Sequence, residues 1–291
     1  MTGEISTFVS CAREVITSLV PVVRAAAGSP ESVTKKRDGS LVTATDQLVE
    51  SRVIAVLSSA LPGIPILGEE GAIDGSESAQ SAASEFYRSF LRSQFQLIVD
   101  PIDGTRNFVD GRDEYCIAAA LSQRTNSGIW PVAAVIALPQ ERVLIWCDDR
   151  GAFREDLTSG SISQLKRETN SSGAISVNSR DRAWLSTEGI ALRLPWVSSG
   201  SSIYDFIGSA VGRLRGSVVG SQRLWDLMAP LAVAGHLGMT LRDLQTGAAV
   251  TSLCASDLSS DLVSRPWGLS RRMVLLPSEL SLEALLQRSG S

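Results

Sequence analysis

Two carboxylates, Asp100 and Asp103, stand three positions apart in the run VDPIDGTRNF (99–108), separated by Pro101 and Ile102 and followed at once by Gly104 and Thr105. Three further acidic features share their setting, at the end of a strand-like run or the start of a helix: Asp46, the Glu69/Glu70 pair, and Asp226 after Trp225. Carboxylates at such ends can converge on one edge of a sheet, where ligand sites form. A cluster of this kind repels itself unless cations are bound, and hard divalent ions with oxygen ligands, Mg²⁺ first, are the natural partners. In DPID, Pro101 stiffens the turn, both aspartates can face one side, and the Ile102 carbonyl can serve as a further oxygen ligand. Gly104 and Thr105 offer backbone N–H groups and a hydroxyl at a helix start, where an anion is favoured. Metals beside an anion cradle suggest phosphate-ester chemistry with metal-activated water. Each feature alone has a plainer reading: a turn for DxxDG, a helix cap for Asp46, an N-cap for Asp226. Their joint occurrence raises the odds of chemistry.

Other chemistries are closed by composition. His236 is the single histidine, so most zinc sites are out, and a Ser-His-Asp hydrolase would need a GxSxG elbow that the chain lacks. No GK dipeptide is present for a P-loop, and no cysteine precedes an arginine by six positions. Cys11, Cys116, Cys147 and Cys254 lie far apart, which argues against a disulfide framework and for reduced thiols. With 291 residues, 44% apolar and 20% charged, the chain can bury a large core. The net charge of −4 comes from interspersed residues, so nucleic-acid binding is not expected. The start lacks a basic n-region, and apolar stretches such as Trp130–Pro139 fall short of the roughly 18 residues of a membrane span. A soluble cytoplasmic protein without membrane partners is expected.

The elements that must position these residues follow from periodicity. Residues 4–26 read as a helix that Pro21 kinks or ends. A DGS turn and a β-like LVTAT precede a helix with Asp46 at its N-cap, and Ile64–Leu67 is a short strand running into the glutamates. Residues 71–84 read as a surface excursion. FQLIVD is a buried strand stopping at Asp100, and YCIAAALSQ, WPVAAVIALP and RVLIWCDD form a meander. Polar residues 157–173 separate two lobes of a domain spanning 1–285: a metal-binding lobe over 1–156 and a second over 174–285. Strand-like and helix-like pieces alternate in the latter, with AISVNS, SSIYDFIGSAVGRLRG, LWDLMAPLAVAGHLG, TLRDL and RMVLLP.

Taken together, KRDGSLVTATDQ (36–47), GEEG (68–71), DPIDGTRNF (100–108), GSS (200–202) and LWDLMA (224–229) resemble the motifs of the inositol monophosphatase family. These are Mg²⁺-dependent, lithium-sensitive phosphatases related to fructose-1,6-bisphosphatase. The motifs run in the family's order over nearly the whole chain. The resemblance implies an α/β fold, the layered αβαβα sandwich, usually assembled as a homodimer. It implies two or three Mg²⁺ ions per site and Li⁺ as an inhibitor. Glu69 would bind the first metal, with Glu70 behind it. Asp100 would bridge two metals, the Ile102 carbonyl would complete the first, and Asp103 and Asp226 would hold the second. Thr105, paired with Asp46, would orient and deprotonate the attacking water, with Glu69 sharing in catalysis through its metal. Phosphate and substrate would meet Asp103, Gly104, Thr105, Ser202 and Asp226. The implied reaction is direct in-line hydrolysis of a small phosphorylated metabolite, with an inositol 1-phosphate-like polyol phosphate as the default. Histidinol phosphate, fructose 1,6-bisphosphate and 3′-phosphoadenosine 5′-phosphate are the alternatives. A catalytically silent binding or regulatory module is the alternative of another class.

The chain also departs from the family. Val219 stands seven positions before Asp226, where animal inositol phosphatases carry a glutamate for inositol hydroxyls, so classical inositol recognition is put in question. VDGRDEY replaces a proline-containing loop. His236 takes the place of a glutamate and reads as structural. Arg106, Arg180 and Arg223 are candidate substrate-facing cations, and Tyr204 or Trp184 could stack on a nucleotide base.

Overall fold

The computed structural model describes residues 3–36, 39–71, 77–168, 173–259, 261 and 266–288. Apolar residues at helical spacing build α1 (Gly3–Ala26), whose buried stripe includes Ile5, Phe8, Ala12, Ile16, Leu19 and Val23. Pro21 does not end it: the proline lies on the exposed side, where water can serve the carbonyl its missing N–H leaves free. By length and composition alone α1 is long and apolar enough to cross a membrane, and its inner stripe is packed against a sheet. A small hairpin, β1 (Thr34–Lys35) with β2 (Leu41–Val42), leads into α2 (Ala44–Ala60). Asp38, which opens the expected DGS turn, lies outside the described residues, as does Arg37.

Next come β3 (Ile66–Gly68), α3 (Glu77–Arg92), β4 (Phe95–Asp103) and the single-turn α4 (Thr105–Val109). Of the expected excursion over 71–84, residues 72–76 lie outside the described residues and residues 77–84 open a helix; the chain continues without a breaker into FYRSFLR, whose Phe90 is buried. The meander follows as β5 (Cys116–Arg124), β6 (Ile129–Leu138), β7 (Val143–Asp148), β8 (Gly151–Asp156) and β9 (Ile162–Gln164). β9 falls inside the polar stretch 157–173 and extends the sheet there. The seven strands run β3-β4-β5-β6-β7-β8-β9, parallel only between β3 and β4.

The second half supplies β10 (Ile175–Ser176), α5 (Ser179–Thr187), β11 (Ile190–Leu192), β12 (Trp196–Val197), α6 (Ser202–Ala210), β13 (Gly216–Val219), α7 (Leu224–His236), β14 (Met239–Asp243), β15 (Met273–Pro277) and β16 (Leu286–Arg288). Five strands form a second sheet in the order β12-β10-β13-β15-β14. Strand alternation sorts the side chains into layers. Ile117, Ala119 and Leu121 of β5 pack with α1 and α2. Cys116, Ala118 and Ala120, on its other face, pack with α6 and α7. Val219, Met273 and Leu275 of the second sheet close that same middle layer, while Ile175, Val218, Val274 and Leu276 face Leu185 of α5. The result is helix, sheet, helix, sheet, helix. With both faces covered, the large sheet's strands read as continuous apolar runs.

Candidate active site

The site lies where β4, α2, α6 and α7 meet, and a fault in strand pairing builds its centre. β4 does not stop at Asp100, as the sequence suggests, but continues to Asp103. Asp100 opposes Ala118 and Asp103 opposes Cys116, so three steps on β4 face two on β5. This bulge absorbs one residue at Pro101–Ile102, where proline's missing N–H costs no ladder bond. Residues three apart in a regular strand point to opposite faces; the bulge turns Asp103 back beside Asp100. Carboxylate oxygens of Asp100, Asp103 and Asp226 all lie within 4.8 Å of one another.

Helix N-termini fix the remaining aspartates, though not as N-caps. Thr43 is the N-cap of α2, and Asp46 is its third residue, reaching back so that Oδ2 accepts the Thr43 N–H (2.8 Å) and hydroxyl (2.5 Å). Asp226 likewise sits in the first turn of α7, where Oδ2 accepts the Arg223 N–H at 2.8 Å. A cap residue would spend its carboxylate on the helix; three positions in, one oxygen grips the turn and the other is left for the site. Asp103 repeats the device between elements: its Oδ2 accepts the Ser201 hydroxyl and the Ile203 N–H (2.7 Å) at the start of α6, and the Ser202 N–H also donates to the carboxylate. Ser202 is thereby placed beside Asp103.

Asp46 and Thr105 meet as expected, with Thr105 Oγ1 3.3 Å from Asp46 Oδ1 and 3.0 Å from the Ile102 carbonyl oxygen. Gly104 must be glycine: its φ is +86°, and a Cβ would lie 2.9 Å from the Glu114 carbonyl oxygen and from Ser201 Cβ. No side chain caps α4, so the first N–H groups after Gly104 are left for a ligand. Glu69 and Glu70 each accept from Lys36 Nζ, at 2.7 and 2.6 Å.

Burial is the main influence on the ionisation of this cluster. It pushes Asp100 and Asp226 well above the usual carboxylate range, helped by their acidic neighbours. Asp103 rises to about 6, burial outweighing its hydrogen bonds from Ser201 and Ile203. Burial and the charge of Glu69 bring Glu70 to about 7. Burial also raises Asp46, against the bonds from Thr43.

The donor set fits divalent cations. Both oxygens of Asp100 are buried with no hydrogen-bond partner, an arrangement proteins avoid unless an ion or water completes it. A hard dication among Asp100, Asp103, Asp226, the Ile102 carbonyl and Glu69 would satisfy those lone pairs and offset the charge.

Sequence reasoning missed Lys36, Ser201 and Asn107. Asn107 Nδ2 donates to the carbonyls of Glu114 (2.7 Å) and Ser199 (2.9 Å), clamping the loop that carries Ser201. Phe108 beside it anchors α4 edge-on to Tyr115, ring centroids 5.3 Å apart. The "NF" of the motif is therefore a clamp and an anchor. The remaining candidate side chains have other settings. His236 is exposed at the far end of α7 from Asp226. Val219 is fully buried in the middle layer. Tyr204 is engaged by Arg213, which donates to its hydroxyl at 3.3 Å and lies over its ring. Trp184 is covered by Arg272. Each ring thus carries an arginine over one face. Arg106 and Arg180 are exposed, while Arg223 donates to the Pro266 carbonyl at 3.4 Å.

Fold and site together define a class: an αβαβα sandwich with an aspartate cluster at the edge of its larger sheet. A model of the inositol monophosphatase family matches residues 4–274, and the chain belongs to that family of phosphatases. It is 27% identical over 222 residues to an inositol-1-monophosphatase of Mesorhizobium japonicum, covering 74% of this chain and 76% of that one. To a chloroplastic phosphatase of Arabidopsis thaliana it is 30% identical over 118 residues, 40% of this chain and 28% of that protein's length. Among solved structures, a staphylococcal inositol monophosphatase-1 soaked in LiCl as an inhibitory complex aligns with a TM-score of 0.65 at 17% identity, over 97% of this chain and 93% of that one.

Proposed function

We propose that the chain is a Mg²⁺-dependent phosphomonoesterase acting on a small phosphorylated polyol. The observation that carries this reading is Asp100, whose two buried oxygens lack any donor while Asp103 and Asp226 stand beside it. Asp100, Asp103, Asp226, Glu69 and the Ile102 carbonyl would hold the metals. Bound there, divalent ions supply positive charge that acidifies water and stabilises the leaving oxygen.

The chain's own residues supply the rest. Thr105 Oγ1 has one proton and two acceptors in reach, so it can donate to Asp46 Oδ1 while accepting from a water. As the water's proton moves to Thr105, the threonine proton moves to Asp46 Oδ1, and the water oxygen bonds to phosphorus. The ester P–O bond breaks on the opposite side, and the leaving alkoxide takes a proton from solvent. Thr43 keeps Asp46 oriented through both exchanges. The N–H groups after Gly104 are suited to phosphate oxygens. All four aspartates and Thr105 are in place, which favours an active enzyme over a silent module. With Val219 in the core, any polyol hydroxyls are recognised by other groups.

Phosphate release from a panel of inositol, sugar, histidinol and nucleotide phosphates tests the reading. Turnover should require Mg²⁺, vanish with EDTA and fall with millimolar Li⁺. Inertness across the panel in Mg²⁺ would reject it.

A further inference from the structure

We infer that Glu50 is a positioning residue that shapes the Glu69 loop from inside, and so sets affinity for the metal Glu69 would bind; this rests on the proposed metal-dependent activity. Glu50 lies one turn after Asp46 on α2, and both face inward, 6% and 0% exposed. A glutamate buried mid-helix needs partners to offset its lost hydration. Its partners are the backbone of the segment that presents Glu69. Oε2 accepts the Glu70 N–H at 2.8 Å, and the Gly71 N–H also donates to the carboxylate. Against its other side lies Gly68, where a Cβ would fall 2.5 to 2.8 Å from all three carboxyl atoms. Gly68 does not have the left-handed backbone, so the glycine is required by this close approach and not by the turn.

The carboxylate of Glu50 is thus enclosed by residues 68, 70 and 71, with Glu69 projecting from the same turn to Lys36 at its tip. One helix then holds both halves of the metal edge: Asp46 reaches the Thr105 hydroxyl, and Glu50 fixes the loop of Glu69. Outer groups that orient metal ligands matter through affinity; their loss commonly costs 10–100-fold.

The test is calorimetric titration of Mn²⁺ and Mg²⁺ into wild type, Glu50→Ala, Glu50→Gln and Gly68→Ala, with thermal melts in EDTA. Glu50→Ala should weaken metal binding about 10–100-fold, and activity should return at high metal concentration. Glu50→Gln, which keeps one acceptor, should lose less. Gly68→Ala, whose methyl displaces the carboxylate, should resemble Glu50→Ala; these two variants decide the matter if Glu50→Ala does not fold. Unchanged metal affinity in the folded variants, with only a lowered melting temperature, would mean a purely structural glutamate and overturn the inference alone. Absence of metal binding by wild type would overturn the functional reading, and this inference with it.

Discussion

Asp100 and Asp103 are three residues apart in one strand, yet oppose Ala118 and Cys116, which are two apart and share a face of β5. The bulge between them makes one strand deliver two carboxylates to one point, and it makes Asp100 costly without a cation. Replacing Asp100 with Asn removes a buried carboxyl whose ionised form has no donor. D100N should abolish turnover while raising the metal-free melting temperature, by about 2–4 °C for each kcal/mol recovered. Parallel melts in EDTA check this.

The same burial sets a pH dependence. Asp103 in the folded state titrates at about 6, against roughly 3.9 in an unfolded chain. The native state therefore holds the proton more tightly, and metal-free stability falls as pH rises from about 4 through about 6, at up to roughly 1.4 kcal/mol per unit for each such group. Raised Asp100 and Asp226 add in the same direction. Metal binding requires the ionised forms, so the trend should reverse with Mg²⁺: melting temperatures in EDTA should fall as pH rises from about 4 through about 6, and the gain from Mg²⁺ should grow toward pH 8.

Thr105 touches both Asp46 and the Ile102 carbonyl through its hydroxyl. Thr105→Ala should lower kcat by about 10²–10⁴-fold, the range for a lost proton-transfer group, with metal affinity little changed. Thr105→Ser should retain most activity. Collapse of metal binding in the alanine variant would reassign the residue to holding the ion.

Glutamate at position 219 is expected of inositol recognition, and restoring it is an obvious experiment that the fold argues against. Val219 is fully buried and pairs with Met273 across β13 and β15. V219E buries an unpaired charge and should cost several kcal/mol, seen as a large fall in melting temperature. It should not lower KM for inositol 1-phosphate.

The clamp at Asn107 is a further handle. Asn107→Ala leaves the Glu114 and Ser199 carbonyls without their donor, at a cost of about 2–3 kcal/mol. The Ser201 loop should loosen and metal affinity should fall with stability, whereas Ser201→Ala should lower metal affinity with a smaller stability loss.

How legible all this was depended on the range of each interaction. DPIDGT and the WD pair could be read directly, because unusual residue types adjoin within a few positions. The bulge could not, since it exists only against Ala118 and Cys116. Asp46 and Asp226 were recognisable as helix-start residues but misplaced by three positions, because Thr43 and Arg223 hold the cap positions. Ser201 reaches Asp103 across 98 residues, and Asn107 reaches Ser199 across 92; no local pattern carries that. Glu50 looks like any polar residue of a surface helix until the segment from Gly68 to Gly71 is folded over it.

The central claim is that Asp100, Asp103 and Asp226 form a divalent-metal centre, and calorimetric titration of Mg²⁺ and Mn²⁺ at pH 7.5 tests it most directly. The account predicts saturable binding to wild type with proton release, and its loss in D100N without loss of fold. No binding to wild type, or equal binding to D100N, would contradict it.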